Sequence, residues 1–176
     1  MIEKTTGTKI IAVSDANGRE AYFLREILSD SGRDSFCVLP LAEVKAGSLP
    51  VSVLLAPVPP KTDGGPCAQI CVTRFHKDTD GEPLPEFPKV VTYSTEYDSA
   101  DFTARNIRLL PEQITAFEIV GVGIIGRARI SSPDPVEVEP ALAASAAAIA
   151  AGVPFAEILE ALGHIGLSGT SGKKQK

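Results

Sequence analysis

The chain has 176 residues, a length that suggests a single domain. Hydrophobic residues make up 44% of it, enough for a real core, and with no Trp and only 6% aromatics that core must be mainly aliphatic. A net charge of −5 argues against a nucleic-acid binder, which would show a basic face, and no apolar run reaches the ~20 residues of a membrane span.

The opening MIEKTTGTK lacks the apolar core of a signal peptide. Together with an odd count of three cysteines, this predicts a reduced, cytoplasmic protein. Residues 9–13 form a short aliphatic, β-branched run that reads as a buried strand. Residues 18–31 read as a helix, with Ala21, Leu24, Ile27 and Leu28 on one face and Gly32 as the stop. Between them lies SDANG. Asn17, followed three residues later by Glu20, reads as a helix N-cap with its capping-box partner.

Three strand-length apolar runs follow, SFCVLPL, VSVLLAPV and CAQICVTRF, and the Pro/Gly/Asp-rich segments 57–66 and 76–88 read as loops. From Lys89 the texture changes: KVVTYST is a β-branched strand, and residues 101–131 read as strands joined by tight turns, with LPEQ as a hairpin connection. SSPDPVEVEP is a break. ALAASAAAIAAG is helix-prone, because alanine loses almost no side-chain entropy, and Gly152 ends it. Pro154 opens a last helix that Gly163 closes. Residues 1–167 are thus one α/β domain, a mixed sheet flanked by helices, and residues 168–176 read as a disordered tail.

Other constellations read as structural. Cys67, Cys71 and His76 have soft-ligand spacing, but a structural zinc site needs four ligands and Cys37 is the fourth only if the fold brings it in. Cysteine as a small hydrophobe entering an apolar strand is the better reading. Glu96, Asp98 and Asp101 read as a solvated turn rather than a cation site. His164 reads as a partner for the end of the last helix. No Ser-His-Asp or Cys-His arrangement is legible, so no catalytic residue and no metal ligand are assigned.

Two parts of the chain carry a resemblance. Val91 to Ser94, Ala100 to Ile107, the Ala-rich helix and Gly152 to Leu162 follow one another as in the central, P-loop NTPase-like domain of the Mur ligases. That family comprises the ATP-dependent amide ligases of peptidoglycan synthesis, with relatives in folate and cyanophycin metabolism. The resemblance covers roughly residues 88–163, and extends to the opening loop. The family's phosphate loop reads Ala-Val-Thr-Gly-Thr-Asn-Gly-Lys-Thr, and residues 12–20 here read Ala-Val-Ser-Asp-Ala-Asn-Gly-Arg-Glu.

The resemblance implies Asn17, Gly18 and Arg19 as what remains of a nucleotide-phosphate site. Asp15 stands where the family has glycine, and Glu20 where it has the hydroxyl that holds Mg²⁺. Two carboxylates beside a triphosphate are repulsive, at ~1 kcal/mol per pair in water and ~4 near a protein surface. The protein's own carboxylates, favoured at a helix start by the macrodipole, read as replacing the bound phosphate. The family's Mg²⁺-holding carboxylates and His are not legible, VEVEPALAAS stands in place of its His-x-x-Asn, and neither a C-terminal Rossmann-like domain nor an N-terminal UDP-binding domain is expected. The reading is a reduced, non-catalytic Mur-ligase-like domain with a binding or regulatory role, without cofactor unless residual ATP/Mg²⁺ binding survives, and with a protein partner or a second copy of itself. The alternatives are an ATP-binding component of a ligase completed by another chain, and a structural homodimer.

Overall fold

A computed structural model describes residues 7–44, 50–60, 68–77 and 87–166. Cys67, most of the two Pro/Gly-rich loops and the 168–176 tail lie outside the described residues. Lys9–Val13 is strand β1 and Arg19–Asp30 helix α1. Phe36–Pro40 is β2, Val51–Leu55 β3, Ala68–Arg74 β4 and Lys89–Ser94 β5. Phe102–Leu110, Ile114–Gly121 and Ile124–Ile130 are β6, β7 and β8, and Val138–Ala150 and Phe155–His164 are α2 and α3.

The strands form one mixed sheet in the order β2-β1-β3-β4-β5-β6-β7-β8. β1 to β6 are parallel, while β7 and β8 turn back antiparallel. β6 pairs with β5 only at Tyr93–Phe102 and Ser94–Thr103, the end of one strand against the start of the other. The β6–β8 meander therefore continues past the carboxyl ends of the parallel strands.

Helices α1, α2 and α3 share one face of the sheet with a single large core. Alanine makes this possible. Ala141, Ala143, Ala144, Ala146, Ala147 and Ala148 are fully buried, so α2 lies close against both α1 and β3 to β6. On the opposite face lies a smaller cluster, with Ile10, Ala12, Val44, Leu54, Ala56 and Cys71 among its buried members and Leu41 and Phe87 packed against it. Cys71 is wholly buried there, and burial pushes its thiol up to about 11, as befits a small hydrophobe.

Three expectations at helix ends are corrected. The N-cap of α1 is Gly18, without a side-chain cap bond, rather than Asn17 with Glu20. α2 begins at Val138, inside the segment read as a break, because Pro140 falls within its first turn, where proline removes no helical hydrogen bond. α3 runs through Gly163 to His164, and the left-handed glycine beyond it is Gly166, at φ +95°. Gly152 does end α2: at φ +96° it donates to Ile149 O while Val153 donates to Ala148 O, the paired closure of a Schellman motif.

Candidate functional site

The chain leaves β1 toward β2 on one side and returns to β3 on the other. The carboxyl end of β1 is thus a topological switch point, where open α/β sheets place their ligands. Residues 14–18 form the loop at this point, and α1 starts directly after it. Ser14 donates its backbone N–H to Leu55 O, fixing the loop to the end of β3.

The loop is turned upon itself. Asn17 donates its backbone N–H to Asp15 Oδ1 at 3.0 Å, and Gly18 N–H reaches Asp15 O at 3.2 Å. This is an Asx-turn, the hydrogen bonding that aspartate offers a turning backbone. Gly18 has no side chain for a reason: a Cβ there would stand 3.0 Å from Glu20 Oε2 and 3.1 Å from Asp15 Oδ2. Both carboxylates therefore converge on the mouth of the loop. They line a small cleft of about 130 Å³ with Val13, Leu55 and Pro57.

Arg19 points elsewhere. Its Nε donates to Glu137 Oε1 and Oε2 at 3.0 and 2.8 Å, and its terminal nitrogen lies 2.8 Å from Oε2. Its guanidinium also lies 4.5 Å from the ring centre of Tyr22 and 5.2 Å from that of Phe23. Glu137 is the N-cap of α2, and Glu139 in its first turn pairs with Arg74 at the end of β4. The starts of α1 and α2, both positive dipole ends, are thus each supplied with carboxylates of the chain itself.

Beneath them Tyr93 is fully buried, with Arg74 beside its hydroxyl. Burial pushes its phenol well above the usual range, Glu20 and Glu139 push the same way, and Arg74 opposes them. A second cleft, about 300 Å³, opens beside this group at the carboxyl ends of β4 and β5. Arg74, His76, Ser94, Thr95, Tyr97 and Glu139 are among the residues that line it.

Asn17, Gly18 and Arg19 are consecutive in one loop and helix start, but only their backbone is gathered at the switch point, since the Arg19 side chain is committed to Glu137. Sequence reading missed Glu137 and Glu139. Their signal was weak: two glutamates flanking Val138 in a segment that looked like a connection. Among the described residues no group of three His, Cys, Asp or Glu side chains is placed to hold a metal ion. The EYDSAD segment is a turn. Asp101 accepts from the Thr92 backbone N–H and hydroxyl, Asp98 pairs with Arg105, and Ser94 Oγ accepts from the N–H groups of Glu96 and Tyr97. His164 pairs with Asp30, linking the end of α3 to the end of α1.

No family model matches the sequence, and no curated protein matches it. Solved structures do. A UDP-N-acetylmuramoyl-L-alanyl-D-glutamate–2,6-diaminopimelate ligase superposes with a TM-score of 0.68 at 14% identity, over 89% of this chain and 46% of that one. MurF from Acinetobacter baumannii gives 0.63 at 17% identity, over 94% and 47%. A murein peptide ligase from Psychrobacter arcticus gives 0.62 at 12% identity, over 92% and 47%. The chain has the fold of the Mur ligases, and spans about half the length of the ligases it matches.

Proposed function

We propose that this chain is a non-catalytic Mur-ligase-like domain, acting in the cytoplasm through binding rather than through ATP-driven amide formation, in the setting of peptidoglycan-precursor metabolism. The fold supports the setting. The observation that carries the loss of ligase chemistry is the loop after β1, where Asp15 Oδ1 accepts the Asn17 N–H that a phosphate oxygen would use. A phosphate cradle works because successive backbone N–H groups converge on an anion at a helix N-terminus. Here the anion is part of the chain.

The remaining loop residues do not fit a nucleoside triphosphate with Mg²⁺. Glu20 offers a carboxylate at the position of the metal-holding hydroxyl and adds negative charge beside Asp15. Arg19, the cation that follows the glycine, spends its planar fork on Glu137 instead of projecting a point charge to the outer phosphates. Displacing both carboxylates to admit a polyanion would break the Asx-turn and bring like charges together. The test is a thermal-denaturation and calorimetric titration with ATP and Mg²⁺. The expected result is no shift at millimolar nucleotide. A ligand at a hundred times its Kd would add about 2.7 kcal/mol of stability, so a melting temperature that climbs with ATP concentration sinks the proposal.

A further inference from the structure

The outer face of the β6–β8 meander, turned away from the helices, is built differently from the remainder of the surface. Alternation places Phe117, Ile119, Ala128 and Ile130 inward, all buried, and Ala116, Glu118, Arg127 and Arg129 outward. A bulge in β6 brings Arg108 into the same layer: between Arg105 and Arg108 the strand advances three residues while β7 advances two, from Glu118 to Ala116. Asn106, inside the bulge, holds φ +53°, a conformation asparagine tolerates better than most residues.

The result is a row, Arg108–Ala116–Arg129, across three strands. The two arginines stand two strand spacings apart, roughly 10 Å, over a floor that alanine keeps low. Among the described residues neither makes an ion pair or a side-chain hydrogen bond. The nearest carboxylate row cannot serve them. Glu118 accepts from Asn106 Nδ2 at 2.6 Å and lies 3.7 Å from Arg127, itself 82% exposed. Asp98 is taken by Arg105. A concavity of about 160 Å³ runs between these side chains, with Leu110 and Ala116 among its lining residues. In a chain of net charge −5, cationic side chains in excess have been gathered on one sheet face.

We propose that this face is a docking surface for an acidic, extended segment of another protein. The charge is complementary to carboxylates. The separation of Arg108 and Arg129 suits two carboxylates along a peptide better than one compact anion, and Leu110, which lines the concavity, offers the apolar contact that a peptide, unlike inorganic phosphate, can use. The proposal stands apart from the reading of the β1 loop, since the two surfaces share no residue.

The test is fluorescence anisotropy with labelled hexaglutamate at ~0.15 M ionic strength, on the whole chain and on two variants. R108E/R129E reverses the row. K9E/K89E changes net charge equally at exposed lysines on other strands. Saturable binding that falls at least roughly tenfold in R108E/R129E and stays within about twofold in K9E/K89E, with both variants melting as the wild-type chain does, supports the inference. Absence of saturable binding, equal loss in both variants, displacement of the peptide by stoichiometric phosphate, or tighter binding of an oligothymidylate of the same charge overturns it.

Discussion

Arg19 and Glu137 are 118 positions apart in sequence and meet through three nitrogen–oxygen contacts of 2.8–3.0 Å. The pair is half in solvent, with side-chain exposures of 51% and 21%, which discounts its Coulomb energy. Bidentate geometry and the stacking of the guanidinium on Tyr22 raise it toward the upper end of the surface range. A double-mutant cycle with R19A and E137A, read by chemical denaturation, should give a coupling of about 0.5–1 kcal/mol that shrinks in molar salt. A coupling of zero would mean that the pair does not brace α1 against α2. The sequence carried half of this. The departure of Asp15 and Glu20 from a phosphate loop is visible residue by residue, and the structure places both carboxylates at the loop mouth. The partner of Arg19 was not visible, because no local pattern connects a helix start with another helix more than a hundred residues on.

The elements were legible because each is punctuated. Aliphatic runs flanked by Gly and Pro gave β1 to β5, residues 101–131 read as strands joined by tight turns without their separate limits, and alanine content gave α2. Where punctuation depends on a dihedral angle it misled: Gly163 looked like a stop, yet it lies inside α3, while Gly166 at φ +95° lies beyond the helix end. Gly152 is the informative case. At φ +96° it is the left-handed closure of α2, and although a Cβ would meet nothing within 4 Å, the backbone itself would be strained. G152A should therefore cost about 1–2 kcal/mol in denaturant midpoint with unchanged slope, whereas G163A, in a helical backbone with equally open space, should be neutral or stabilising by up to about 1 kcal/mol. The inward face of α2 makes the opposite demand. Ala144 is wholly buried in α2, and A144L should destabilise by about 1–3 kcal/mol by overpacking. An A144L chain as stable as wild type would show that α2 can move away from the sheet.

At the scale of the molecule, α1, α2 and α3 pack on one face of the sheet while a smaller cluster, with Val44, Leu41 and Phe87, lies on the other, and this asymmetry has a pH signature. Cys71 lies in that small cluster, fully buried, with its thiol raised from 9.0 to about 11. Below pH 9 the thiol is protonated in the folded and unfolded chains alike, so its contribution to stability is fully present. As pH rises toward 11 the unfolded chain ionises first, the folded chain holds its proton, and stability is lost. Each pH unit between the two values is worth about 1.4 kcal/mol, so the full loss is about 2–3 kcal/mol. Tyr93, buried on the opposite face, acts with the same sign, but only from its unperturbed value of 10.0 upward. The cysteine therefore dominates the interval from pH 9 to 10. Denaturation midpoints across that interval should fall more steeply for the wild-type chain than for C71A, whose lower stability at neutral pH reflects the lost thiol packing. Equal slopes for the two chains would place the thiol in contact with water.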